Sequence, residues 1–170
     1  YILMASAAGI VEGYNINGEY LFKPQNTLKR AEALTILYRA AGSIFNGNAS
    51  ARDNNAAEKN NVITKSDIIL NKITFEGRSI ISEGVKDGLV SIKNSKINDT
   101  LYIRGSADVT LEDCIVDTVV IDNGCKLSII DGTSVERIIV NGKSVVNVYS
   151  GTFVDTLESY AEGTNVFGSG

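Results

Sequence analysis

From residue 62 onwards, short apolar runs recur at a fixed interval along the chain. Ile97, Val116, Val135 and Val154 follow one another at intervals of 19 residues, and Phe75 precedes Ile97 by 22. Within each repeat, β-branched residues alternate with polar ones between Gly, Asn, Asp and Ser. Alternation with a period of two predicts strands, and self-similarity at a fixed period predicts a repeat architecture.

A repeat of this length is too short for two helices and suits one coil of a parallel β-solenoid. Two apolar rows recur at the same levels of successive coils: Ile68, Leu70, Val90, Ile92, Leu111, Ile129 and Val148 in one, and Leu101, Ile103, Val119, Ile121, Ile138, Val140 and Leu157 in the other. Stacking buries such rows in a core that no single coil can form alone.

We predict a mainly β chain with a short parallel β-solenoid of around five coils. Right-handed coiling is favoured because the hexapeptide pattern of left-handed solenoids is absent. The alternative is an antiparallel β-sandwich.

The first 61 residues follow different patterns. Residues 1–9 resemble the end of a helix closed by Gly9, and a turn-rich loop follows. Apolar residues at spacings of three and four predict a helix from Leu28 to Ala41, which Gly42 ends. The Asn-, Ala- and Ser-rich residues 43–61 predict a polar linker, with a short helical turn at 56–59. The predicted domains are therefore a helical segment (1–42), a linker (43–61) and a solenoid (62–170).

Composition narrows the possible functions. The 170 residues carry a net charge of −4 without a basic patch, so nucleic acid and membrane insertion are not expected. The absence of His removes Ser-His-Asp and Cys-His catalysis and most zinc chemistry. Cys114 and Cys125 occupy unequal levels of the repeat, so we predict free, partly buried thiols. The start at Tyr1 in the middle of a pattern indicates a processed chain or a piece of a longer one.

The solenoid offers few candidates for chemistry. Asp99 and Asp117 on adjacent coils are the nearest pair of carboxylates for glycoside hydrolysis. Four residues share a turn position, which indicates either a ladder of turn-forming side chains or a calcium site: Asn94, Asp113, Asp131 and Ser150. Arg104 and Arg137 are too isolated to indicate a lyase. We therefore predict no catalytic residue, metal ligand or cofactor. Three tyrosines either form a sugar-stacking platform or fill coil corners: Tyr102, Tyr149 and Tyr160.

Three short motifs resemble the S-layer homology motif, a bacterial module that anchors proteins to the cell wall. Residues 9–14 read GIVEGY, like the G-I-[IV]-x-G-Y loop of that family. Residues 22–26 read FKPQN, like its F-x-P-x-N turn, and residues 29–32 read KRAE, like the T-R-A-E signature that starts its second helix. Lys29 replaces the usual Thr. Only one motif is present, whereas family members usually carry three that pack together.

The resemblance implies an extracellular protein of the bacterial surface whose partner is secondary cell-wall polysaccharide. It implies a carbohydrate-binding site at Arg30, Lys29, Glu32, Gly13 and Tyr14, with Arg30 facing an acidic sugar. A guanidinium can bind a carboxylate through two hydrogen bonds, and a helix N-terminus favours anions. The alternative role is structural, with Glu32 satisfying the helix dipole and pairing with Arg30.

Two hypotheses about function follow. The first is a non-enzymatic surface protein, in which the solenoid serves as a spacer, a binding surface or an assembly element. The second is a wall-anchored β-helix polysaccharide lyase or hydrolase. We also expect a homo-oligomer or domain swap, because a lone motif and an open solenoid end both leave apolar surface exposed.

Overall fold

The computed structural model describes residues 14–16, 19–21, 29–50 and 60–168. The chain divides into two compact units, Tyr1–Gly42 and Ser43–Gly170. In the first unit, strands β1 (Tyr14–Ile16) and β2 (Glu19–Leu21) pair antiparallel, and helix α1 spans Arg30–Ala41. The predicted helix is thus confirmed, and Gly42 follows it in the left-handed conformation at φ 64°. The helix end predicted at residues 1–9 lies outside the described residues.

The hairpin lies in a segment that the sequence analysis treated as loop. Its two strands are only three residues long, so neither contains enough alternation to be recognised as a strand. The Asn17-Gly18 dipeptide in the sequence between them is a strong hairpin signal. The dipeptide alone predicts a hairpin, whereas the number of turn-forming residues in the segment predicts a loop.

The second unit is the predicted parallel β-solenoid with coils near 19 residues, and it has about six turns where around five were predicted. Its strands are β3 (Ser43–Phe45), β4 (Ala49–Ser50), β5 (Asn60–Ile63), β6 (Ile68–Asn71), β7 (Thr74–Phe75), β8 (Arg78–Ile81), β9 (Leu89–Lys93), β10 (Lys96–Ile103), β11 (Asp108–Glu112), β12 (Ile115–Ile121), β13 (Lys126–Ile130), β14 (Ser134–Val140), β15 (Val145–Val148), β16 (Phe153–Ser159) and β17 (Asn165–Gly168). The first sheet has the order β16-β14-β12-β10-β8-β5-β3, with β7 also pairing with β10. The second sheet has the order β17-β15-β13-β11-β9-β6-β4.

The strand register confirms the predicted apolar rows. Phe75 pairs with Ile97, Ile97 with Val116, Val116 with Val135, and Val135 with Val154. The first four of these side chains are almost fully buried between the two sheets. Alternation along each strand places every second side chain in this core, and stacking of the coils joins the rows into one apolar cluster.

The solenoid begins at Ser43, within the segment predicted to be a linker. Phe45 pairs with Ile63, and Ile63 pairs with Ile81, which extends one inward row to the first coil. Phe45 is buried and packs edge-on against Phe75 with ring centroids 5.6 Å apart. The apolar run in β3 is too short, and too far from the next one, to reveal a repeat. Residues 51–59 of the predicted linker, including its helical turn, lie outside the described residues.

Small side chains with hydroxyl or thiol groups occupy the inner corners of the coils. Ser95 Oγ accepts a hydrogen bond from the N–H of Ile73 at 3.1 Å, and Thr133 Oγ1 accepts one from the N–H of Cys114 at 3.2 Å. Cys114 lies between these two levels, and its Sγ donates to the carbonyl of Glu112 at 3.2 Å. Both cysteines are free, as predicted, but they are buried and not partly buried. Burial raises the pKa of each thiol, to about 12 for Cys125.

Candidate functional site

The motif KRAE forms the first turn of α1. The carbonyl of Lys29 accepts the first helical hydrogen bond, from the N–H of Ala33 at 2.9 Å. The backbone N–H of Lys29 donates to Glu32 Oε2, also at 2.9 Å. This is one half of a capping box, in which a glutamate three residues into the helix satisfies the N–H of the capping residue. The other half is absent because Lys29 has no side-chain oxygen.

The capping bond separates the roles of Glu32 and Arg30. Within the described residues, no ion pair joins Arg30 to Glu32, whose carboxylate instead serves the backbone of Lys29. Lys29 and Arg30 are exposed, and Glu32 is partly buried. Two cationic side chains therefore lie exposed at the N-terminus of a helix, where free N–H groups already favour an anion.

The remaining predicted binding residues precede the helix. Tyr14 begins strand β1, and Gly13 lies outside the described residues. The grouping of all five residues into one carbohydrate site therefore stays a prediction.

The acidic side chains of the solenoid do not form a compact group. Asp99 lies at a bulge, where the register between β10 and β12 shifts between Ile97 and Thr100. Its Oδ1 accepts a hydrogen bond from the N–H of Thr100 at 2.6 Å. Across the described part of the chain, no group of three or more acidic or cysteine side chains is placed to hold a metal ion.

The predicted ladder of turn residues has a backbone origin. Asn94, Asp113 and Asp131 adopt the left-handed conformation, at φ 48°, 50° and 42°. Asn and Asp tolerate this conformation better than most residues, which explains their recurrence at this level. Ser150 differs from the other three: the left-handed residue in its turn is Gly151, at φ 79°.

The three tyrosines do not form one platform. Tyr102 belongs to the first sheet, Tyr149 follows β15 of the second sheet, and Tyr160 follows β16. The Tyr160 hydroxyl donates to Glu158 Oε2 at 2.8 Å, and Arg137 Nη2 donates to Glu158 Oε1 at 2.7 Å. These two hydrogen bonds lower the pKa of Glu158, and the bond to Glu158 raises the pKa of Tyr160.

Sequence reasoning missed one cationic cluster on the first sheet. The guanidinium carbons of Arg78 and Arg104 lie 5.7 and 5.6 Å from the ring centroid of Tyr102. Arg104 also approaches Asp122, with Nε and Oδ2 3.4 Å apart. The pairing of Ile80 with Tyr102 brings Arg78 close to the ring. One sequence signal could have placed Ile80 beside Tyr102. Their interval of 22 residues equals the interval from Phe75 to Ile97.

Comparison with known proteins identifies the class of the N-terminal segment. Residues 1–34 match the family model of the S-layer homology domain, which confirms the predicted resemblance. No curated protein and no solved structure matches the chain. The S-layer homology domain indicates a protein of the bacterial cell surface that associates with the cell wall, and such domains generally bind cell-wall polysaccharide. Among the described helices, none is long and apolar enough to cross a membrane.

Proposed function

We propose that the N-terminal unit binds secondary cell-wall polysaccharide and that the solenoid is a structural and binding element held at the wall. One observation carries this proposal. The residues that match the S-layer homology domain include the capped first turn of α1, and the first residue of that helix is the exposed Arg30. The guanidinium of Arg30 would bind an acidic substituent of the glycan through two hydrogen bonds. Lys29 would add a second cation, while Gly13 and Tyr14 would line the same site.

We propose that the solenoid is not an enzyme. Two of its carboxylates serve local structure: Asp99 accepts a hydrogen bond from the Thr100 amide at 2.6 Å, and Glu76 accepts one from the Asn98 side chain at 2.9 Å. The competing function is a polysaccharide lyase or hydrolase. New reducing ends, or a calcium-dependent rise in ultraviolet absorbance, on acidic glycans would favour that alternative. Loss of the signal in Asp99→Asn or Asp117→Asn would locate it on the solenoid.

We also propose that the last coil associates with a second copy of the chain. Phe153, Val166 and Phe167 are 59%, 49% and 59% exposed there. Among the described strands, β16 and β17 are the last of their sheets, and a strand in that position can pair with another chain. Analytical ultracentrifugation should show a concentration-dependent dimer that the double variant Phe153→Asp and Phe167→Asp abolishes.

Co-sedimentation with purified bacterial sacculi tests the wall anchor. The native chain should pellet with intact sacculi and remain in solution once wall polysaccharide has been stripped. Arg30→Ala should lose most of the binding. Arg78→Ala removes another exposed arginine, from the solenoid, and should bind as the native chain does. Equal binding by Arg30→Ala, or binding to stripped sacculi, would reject the assigned site.

A further inference from the structure

An open groove runs along the second sheet at the corner where each coil enters it from the first sheet. It consists of two adjoining cavities of about 530 and 360 Å³. Ser106, Asp108 and Lys126 line both cavities, so the two lie side by side. We call the two cavities together the corner groove. It extends from the coil of Leu89 to the coil of Asn165.

The corner groove is concave because the turns beneath it carry small residues. Its lining includes Gly88, Ala107, Gly124, Ser144 and Gly163. At Gly124 the successive coils approach closely, since an added Cβ would lie 2.5 Å from the carbonyl oxygen of Lys143. Longer side chains, those of Lys86, Lys126 and Lys143, rise from the same coils and border the depression.

The groove repeats along the solenoid axis. Leu89 pairs with Asp108, Lys126 with Val145, and Val145 with Asn165. Neighbouring strands lie about 4.8 Å apart, so the four steps from Leu89 to Asn165 span roughly 19 Å. One step is close to the length of one sugar ring in an extended polysaccharide. A glycan lying along the axis would therefore present successive sugars to successive coils.

The polar groups of the groove include both donors and acceptors. Lys86, Lys126 and Lys143 supply ammonium donors, and Asp87 and Asp108 supply carboxylate acceptors. Among the described residues, no ion pair within 4 Å joins these lysines to these aspartates. The remaining aspartate, Asp67, is used locally, because its Oδ1 accepts the N–H of Leu89 at 3.1 Å.

The side chains of Thr110 and Ser128 add hydroxyl groups to the same lining. Every sugar hydroxyl is both a donor and an acceptor, so a lining of carboxylates, ammonium groups and hydroxyls matches an uncharged glycan. The three lysines and three aspartates of the lining balance in charge, so the groove offers no net attraction to a polyanion.

An extended peptide does not fit the corner groove in the way that peptides usually bind sheets. Strands β11, β13 and β15 each pair with a neighbour on both sides, so their backbone groups are occupied. A peptide could therefore not add a strand there, and only side chains remain to recognise a ligand. That arrangement favours a ligand whose own polar groups are numerous and regularly spaced.

We propose that the corner groove binds an uncharged, hydroxyl-rich polysaccharide chain that lies along the solenoid axis. Asp108 and Lys126 stand where the two cavities join and hold the central sugars. The inference rests on the binding role proposed for the solenoid. It concerns a site separate from Arg30.

Isothermal titration of the full chain with hexasaccharides tests this assignment. The probes are chitohexaose, cellohexaose and maltohexaose, with hexagalacturonate as the acidic comparison. At least one uncharged probe should bind Arg30→Ala, which lacks the acidic-sugar site proposed on the N-terminal unit, more tightly than hexagalacturonate does. Asp108→Ala and Lys126→Ala should each weaken that binding tenfold or more. Ser128→Trp should abolish it by filling the groove.

Matched variants on the first sheet provide the control. Asp117→Ala and Lys96→Ala remove the same two groups outside the groove and should leave the affinity unchanged. Thermal unfolding of each variant shows that the fold is retained. The proposal is overturned if no uncharged probe binds, if hexagalacturonate binds Arg30→Ala best, or if folded groove variants bind as the native chain does.

The wall anchor and the corner groove can fail separately. Arg30→Ala should keep its affinity for the hexasaccharide while losing sacculi. Loss of hexasaccharide binding in Arg30→Ala would place the glycan on the N-terminal unit and reject the groove. Native hexasaccharide binding without sacculus binding would reject the anchor alone.

Discussion

The backbone N–H of Lys29 donates a hydrogen bond to the carboxylate of Glu32 at 2.9 Å, across the first turn of α1. This contact makes Glu32 a capping residue of the helix. Arg30, which lies between the two in sequence, is exposed. Because the Glu32 carboxylate caps the helix and is not paired with Arg30, the charge of Arg30 stays available to an anionic ligand.

Glu32→Ala should loosen the first turn of α1. The variant loses the capping bond and a favourable charge at the positive end of the helix, together about 0.5–1 kcal/mol. Amide hydrogen exchange at Lys29 should accelerate in Glu32→Ala. Glu32→Gln retains the acceptor oxygen and should exchange more slowly than Glu32→Ala. Unchanged exchange in Glu32→Ala, together with complete loss of wall binding, would instead make Glu32 a ligand-binding residue.

Phe75→Ala should strongly destabilise the solenoid. Phe75 is fully buried, pairs with Ile97 and contacts the ring of Phe45. Truncating a buried phenylalanine leaves a cavity and costs about 3–5 kcal/mol. Urea unfolding followed by circular dichroism measures the loss. Ile115→Ala is the control: this side chain is 58% exposed, so its truncation should change stability by no more than about 0.5 kcal/mol.

Lys72→Asn should stabilise the solenoid. Lys72 adopts the left-handed conformation at φ 58°, which costs most residues about 1–2 kcal/mol, whereas Asn tolerates it. We expect a gain of about 1 kcal/mol in the free energy of unfolding. Lys96→Asn makes the same chemical change within strand β10, where no such strain exists, and should give no gain. Equal effects at both positions would show that backbone conformation is not the cause.

The Cys125 thiol should make the solenoid less stable at high pH. Burial, with a smaller contribution from nearby Asp108, raises the pKa of Cys125 from 9.0 to about 12. Between these values the unfolded chain loses the thiol proton and the folded chain keeps it, so ionisation favours unfolding. The contribution is fully present below about pH 9 and is lost progressively towards pH 12.

Comparison of the native chain with Cys125→Ala isolates this effect from other groups that titrate at high pH. The free energy of unfolding of the native chain should fall more steeply above pH 9, by at most about 1.4 kcal/mol per pH unit. Parallel curves for the two proteins would show that the thiol ionises equally in both states. Alkylation of Cys125 should also be slow until the chain unfolds, because the thiolate is the reactive form.

The inward rows of the solenoid and the start of the helix could be read from the sequence. Ile97, Val116 and Val135 recur because each must fill the same level of the core, and burial restricts that position to apolar residues in every coil. KRAE was recognisable because its residues act within a single turn of helix. Both signals are local in sequence or strictly periodic, so the chain itself displays them.

The first coil and the surface clusters could not be read in this way. Phe45 and Ile63 belong to the core, but the intervening segment does not repeat the pattern seen later in the chain. Outward residues are under no common requirement from coil to coil. The 22-residue interval gave the level of Arg78 and Tyr102, but no recurring residue type marks their contact or the groove between Asp108 and Lys126. The sequence alone determined the coil length, the inward rows and the S-layer homology motif, because burial and helix capping restrict which residues are tolerated. Only the tertiary structure decided where the coils begin and which exposed side chains meet, because stacking of the coils joins residues that are far apart in the chain.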